Sequence, residues 1–120
     1  EIMVNKARQS ISSAKAEAFD SFFEVFSHLY RELKGLGSKK PAETLSESKV
    51  KIVNRLLEDM RKIMEEEPEY KYLDMLDNEM LPQYSDAILI LSQYEGALKG
   101  FKERYYGYDA SEHENRWNIE

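Results

Sequence analysis

With 120 residues and no cysteine, the chain fits one domain with a modest core, and it can supply no disulfide framework, thiolate nucleophile or Cys-based zinc or iron–sulfur site. Apolar residues make up 42% and charged residues 33%, a balance that suits a folded, helix-rich protein and argues against disorder. The formal net charge of -6 is unevenly spread, since residues 1–64 carry 12 Lys/Arg against 9 Asp/Glu and residues 65–120 carry 5 against 14. An acidic chain is a poor match for nucleic acid, although a local basic face on the first half stays open. No apolar run approaches the ~18 residues of a membrane span, and the amino terminus lacks the basic-then-apolar pattern of a signal peptide. A cytoplasmic protein is expected, and Glu1 at the start points to a trimmed chain.

Val4, Ala7, Ile11, Ala14, Ala18, Phe22, Val25, Leu29 and Leu33 recur in steps of three or four with no Gly or Pro between them. That spacing predicts one long helix from about residue 3 to Lys34, ended by Gly35-Leu36-Gly37. Phe19, Phe23, Phe26 and Tyr30 flank the ladder, so the later half of the helix is apolar over a wide arc that something must cover. Gly35 to Glu43, with Pro41, reads as a surface loop and the clearest hinge.

Thr44-Leu45-Ser46-Glu47 reads as a capping box that starts a second helix, with Val50, Val53, Leu56, Leu57, Met60, Ile63 and Met64 at helical spacing and a break at Pro68. Residues 69–80 are expected to form a short third helix, with Tyr70, Leu73, Leu76 and Met80 on one face. After Pro82, a last long helix over roughly 83–106 carries Tyr84, Ala87, Ile88, Leu91, Tyr94, Leu98, Phe101 and Tyr105. Gly96 and Gly100, one turn apart in it, suggest close packing against a neighbouring helix. Beyond Gly107 lies a polar tail, in which Ser111-Glu112-His113-Glu114 could cap a further turn and Trp117 is the obvious anchor.

The expected fold is therefore all-α: an antiparallel bundle of three long helices and one short helix over residues 1–106, followed by the tail 107–120. At ~1.5 Å per residue the first helix would be about 45 Å long against ~33–36 Å for the others. Its stripe at Val4, Ala7 and Ile11 would then project past the bundle and be buried by a protein partner or a second copy, giving a homo-oligomer.

Chemistry is thinly signalled. Glu24 and His28 share a helix face as two metal ligands would, but no Glu-x-x-His falls on a bundle helix, and the other helix carboxylates are scattered. Glu58-Asp59 and Glu65-Glu66-Glu67 splay around their helix as solvated groups. No Gly-rich loop precedes a helix in a phosphate-binding form. Lys39 and Lys40, with Lys51, Arg55 and Lys62 along the second helix, are the candidate nucleic-acid contacts. Eight tyrosines, clustered at Tyr70 and Tyr72 and again at Tyr105, Tyr106 and Tyr108, suit an interface.

The sequence is read as a non-catalytic, protein-binding or self-associating subunit of an intracellular assembly, with no cofactor, metal or membrane contact. Its partner-binding residues would be Val4, Ile11, Phe22, Tyr70, Tyr72, Leu73, Tyr105 and Trp117. The alternatives are an accessory nucleic-acid-handling protein using the basic second helix, and a metal-binding helical enzyme built on Glu24 and His28.

Overall fold

The computed structural model describes residue 7 and residues 9–120; Val4 lies outside the described residues. The chain is mostly helical, with α1 over Ser13–Lys39, α2 over Glu47–Met64 and α3 over Tyr84–Tyr105. The all-α expectation thus holds for most of the chain, and a short antiparallel hairpin, β1 (Tyr106–Asp109) with β2 (Glu114–Trp117), is added after α3.

α1 starts ten residues later than the ladder predicted. Ser12 is its N-cap, with a side chain that accepts from the Lys15 N–H at 3.3 Å, and Ile11 just before it is extended and bridged in parallel to Ile119. The two segments exchange backbone bonds, Ile11 N–H to the Asn118 carbonyl at 2.8 Å and Glu120 N–H to the Ile11 carbonyl at 2.9 Å. Ile11 is thus only 4% exposed and belongs to the core rather than to a projecting stripe.

The other end of α1 also departs from expectation, because the helix runs through Gly35 and Gly37 to Lys39. Gly37 is buried, and a β-carbon there would collide with Ile88 Cδ1 and meet Tyr84 Cβ at 3.4 Å. This glycine lets the end of α1 approach the start of α3; Pro41, which disfavours helical backbone in Lys40, ends the helix.

α2 is capped by Ser46, whose Oγ accepts from the Lys49 N–H at 3.2 Å, so the cap sits two residues beyond Thr44. Thr44 instead bridges Gln83, and Leu45 donates its N–H to the Pro82 carbonyl at 2.9 Å. The Lys15–Glu66 ion pair at 3.7 Å sets the start of α1 beside the end of α2.

The predicted helix over 69–80 is only a 3-10 turn, Tyr70–Tyr72, followed by irregular chain. Side chains of the helices satisfy that chain's backbone. Asn54 both accepts from the Leu76 N–H (2.9 Å) and donates to its carbonyl (2.8 Å). Gln93 accepts from the Asp74 N–H at 3.0 Å, and the Tyr94 hydroxyl donates to the Asp74 carbonyl at 2.6 Å. Leu73 and Leu76 are thereby inserted into the core without a helix.

The core joins Phe19, Phe22, Phe26, Tyr30 and Leu33 of α1 to Val50, Val53, Leu57, Met60 and Met64 of α2 and to Leu91, Tyr94, Leu98 and Phe101 of α3. The tail is held on it. Trp117 meets Phe19 edge-on at 5.0 Å, Phe101 at 6.1 Å and Tyr106 at 5.2 Å, and its indole N–H donates to Asp20 Oδ2 at 3.2 Å. Ser111-Glu112-His113 forms the hairpin turn rather than a helix cap: Asp109 Oδ1 accepts from the Ser111 N–H at 2.9 Å, and His113 adopts a left-handed φ of 55°.

Trp117→Ala is expected to loosen the hairpin and both terminal segments together, lowering stability by about 2 kcal/mol, less than for a fully buried Trp. Urea unfolding measures the loss, and amide exchange should rise at residues 106–120 before it rises in α2.

Candidate functional site

Two constellations stand out. The first is an ion cluster joining the turn after α2 to the last turn of α3. Arg104 Nε donates to Glu67 Oε1 at 2.9 Å, while its terminal nitrogens bind Glu69 in bidentate fashion at 3.0 and 2.6 Å. The Tyr105 hydroxyl donates to Glu67, lying 2.9 Å from each carboxylate oxygen. Glu67 is only 8% exposed. Burial pushes the Glu69 carboxyl upward, but the Arg104 hydrogen bond and charge, helped by a backbone N–H, hold it below the ordinary carboxylate range. Its hydrogen bond to Glu69, working against burial, in turn raises Arg104. Burial, then the hydrogen bond to Glu67, raises Tyr105. Every member of the cluster is engaged by another, which makes it a clasp between segments rather than a set of groups held open to a substrate.

The second constellation is a groove of about 460 Å³ between α1 and α3. Phe19, Phe23, Phe26 and Tyr30 of α1 and Leu98 of α3 form its apolar floor. Phe23 is the most open of the phenylalanines at 37% exposure. Arg31 and Lys34 on α1 and Lys99 and Lys102 on α3 line the rim, with Ser27 and Glu95. None of these four cations is in an ion pair among the described residues. Lys34 Nζ lies 4.2 Å from the Tyr30 ring centre, and Lys102 Nζ lies 5.9 Å from that of Phe23 and 4.7 Å from that of Tyr106. Such exposed cation–π contacts are worth only about 0.5–1 kcal/mol. Burial, then the Glu95 carboxylate, raises the Tyr30 hydroxyl above its ordinary range.

The residues singled out from sequence are dispersed by the fold. Ile11, Phe22 and Leu73 are buried in the chain's own core, and Tyr105 sits in the ion cluster. Trp117 is half-buried on Phe19, and Tyr70 lies under the Arg61 guanidinium, 5.0 Å from ring centre to Cζ. Among the described residues of this set, Tyr72 alone is well exposed, at 62%. Among the candidate nucleic-acid contacts, Lys40 pairs with Glu43 and Lys51 with Glu47, each at 3.4 Å, while Lys39, Arg55 and Lys62 are exposed. Glu24 and His28 are exposed on α1, and no group of three His, Cys, Asp or Glu side chains among the described residues is placed to hold a metal.

Sequence reasoning missed the rim, because Arg31 and Lys34 lie far in sequence from Lys99 and Lys102. The usable signal was their spacing, three apart on each helix, beside an aromatic row. The ion cluster was also missed. Gly100 was its trace, since a β-carbon there would overlap Glu69 Oε2; at Gly96 a β-carbon would meet nothing within 4 Å among the described residues.

Comparison with protein-family models, with curated proteins and with solved structures finds no match for this chain. No helix of the described structure is long and apolar enough to cross a membrane.

The two glycines should therefore respond oppositely. Gly96→Ala is expected to stabilise by about 0.5–1 kcal/mol through helix propensity. Gly100→Ala should destabilise by about 1–2 kcal/mol by displacing Glu69 from Arg104; denaturant titration of the pair reads both signs. Alkaline pH supplies a second check. Tyr105 keeps its proton more tightly folded than unfolded, so its contribution is complete below the ordinary tyrosine range of about 10 and is lost as pH rises through the raised value. Tyr105→Phe should cost about 1 kcal/mol at neutral pH and show a shallower alkaline loss than the parent.

Proposed function

We propose that the chain works by binding another protein as a non-catalytic helical subunit, and that the α1/α3 groove is where it does so. The observation that carries this reading is the groove itself, an apolar floor bordered by four cations that make no ion pair among the described residues. Apolar surface edged by polar groups is the usual anatomy of a protein interface. In this reading α1, α2 and α3 form an antiparallel bundle, consistent with Lys15 beside Glu66 at one end of α1 and Gly37 beside Tyr84 at the other. A cytoplasmic setting suits a chain with no cysteine.

The groove replaces the ladder of α1 as the working surface, because Ile11 and Phe22 already serve the core. Nucleic-acid binding along α2 is the weaker alternative, since Lys51 is paired with Glu47 and Glu58 and Asp59 share that exposed surface.

The test places a photoreactive residue at Ser27, inside the groove, or at Glu58, on the outer surface of α2, in the native host. A protein adduct at Ser27 with none at Glu58 is expected. Equal labelling at both positions, or none at either, would refute the reading, and an adduct of twice the chain's mass would identify the partner as a second copy.

A further inference from the structure

Resting on that reading, we infer that the groove takes an acidic amphipathic helix of a partner protein, whose apolar side chains meet the aromatic floor and whose carboxylates meet the rim. The floor runs from Phe19 to Tyr30 along one helix, about 16 Å or three helical turns at 1.5 Å per residue. Anchors at i, i+3, i+4 and i+7 on a docked helix cover such a length. Charge selects among apolar helices. Four cations against Glu95 alone make the rim a locally positive patch on a molecule whose formal charge is -6, so the groove favours acidic segments.

The lysines explain how one surface serves both purposes. In the unbound groove the Lys34 ammonium stands over the Tyr30 ring, and that of Lys102 stands between the Phe23 and Tyr106 rings. A carboxylate at the mouth draws each ammonium outward, and the ring beneath is then uncovered for the partner's apolar anchor. A nucleic-acid strand fits less well, because its bases would need successive free ring faces to stack on, and of the floor rings Phe23 alone is open, Phe19, Phe26 and Tyr30 being 2%, 3% and 7% exposed.

The experiment uses the full chain and a fluorescein-labelled synthetic helix with Leu at i, i+3, i+4 and i+7 and Glu between them. Counterparts carry Lys in place of Glu, or the same residues scrambled. Anisotropy should show binding of the Glu helix alone, loosening as salt rises. Lys34→Glu with Lys102→Glu should weaken it at least about tenfold, whereas Lys51→Glu with Lys62→Glu on α2 leaves it unchanged. The inference is overturned if no helix binds, if the Lys or scrambled helix binds as tightly, if the rim variant has no effect, or if an oligonucleotide displaces the Glu helix. Light scattering that finds a dimer broken by the rim variant assigns the groove to a second copy and overturns it as well. The two failures are separable: a Ser27 adduct without binding of the acidic helix removes this inference and keeps the protein-binding reading, whereas loss of both removes the reading itself.

Discussion

The stacking of Phe19 on Phe101, ring centres 5.3 Å apart and planes 6° from parallel, is the contact on which the described architecture depends. It fixes the first third of α1 against the last third of α3, which brings the start of α1 and the hairpin after α3 to one place. Trp117 then closes on both rings, and the hairpin that carries it is folded back over the helices. Aromatic pairs of this kind contribute about 0.5–1.5 kcal/mol each beyond the area they bury, and they are directional. That directionality matters here because the other anchors of the terminal segments among the described residues are polar: the parallel bridge of Ile11 to Ile119, the backbone bonds of Gln9 to Arg104 and of Asn118 to Tyr105, and the side-chain bonds of Asn118 to Gln9 and of Trp117 to Asp20.

One turn beyond Phe101, the same placement delivers Arg104 to Glu67 and Glu69. Burying three charged groups stabilises a fold little in itself, because desolvation offsets most of the Coulombic attraction. What the cluster confers is position. A single guanidinium satisfying two carboxylates, with Tyr105 completing Glu67, holds the turn after α2 in one arrangement, and Gly100 supplies the space that this requires. The irregular chain that follows is held by the same principle with neutral groups, Asn54 and Gln93 acting where a ladder of backbone bonds would otherwise be needed.

Helical period read α3 to within a residue at each end, and α2 to within a few, with the cap two residues beyond Thr44 and the end at Met64 ahead of Pro68, because their apolar positions are buried by tertiary packing in the order that the spacing implies. It failed where two periods coincide over a short stretch. Ala7 and Ile11 continue the spacing of α1, yet Ser10-Ile11-Ser12-Ser13 holds the cap, and a lone Ile on the extended side of a cap cannot be told from one on the helical side. Leu73 and Leu76 fit a helix equally well, and the side chains of Asn54, Gln93 and Tyr94, distant in sequence, decide against it. The hairpin was legible in retrospect from Tyr106, Tyr108, Trp117 and Ile119 alternating around Asp109-Ala110-Ser111, a pattern masked by the polar composition of the tail.

The groove illustrates what one-dimensional charge counting leaves out. Splitting the chain at residue 64 yields a basic half and an acidic half, and on that basis α3 should present negative charge. Yet Lys99 and Lys102 belong to the acidic half and are three apart, which puts both on one flank of α3, while Arg31 and Lys34 are three apart on α1. Packing α1 against α3 through Phe19 and Phe101 sets these two pairs around one aromatic floor. A positive rim on an acidic molecule is thus a product of helix phase and not of composition. The row Phe19, Phe23, Phe26 and Tyr30, which demanded a cover from the outset, is buried at Phe19, Phe26 and Tyr30, with Phe101 of α3 and Trp117 on Phe19, and is left open at Phe23, beside Lys102.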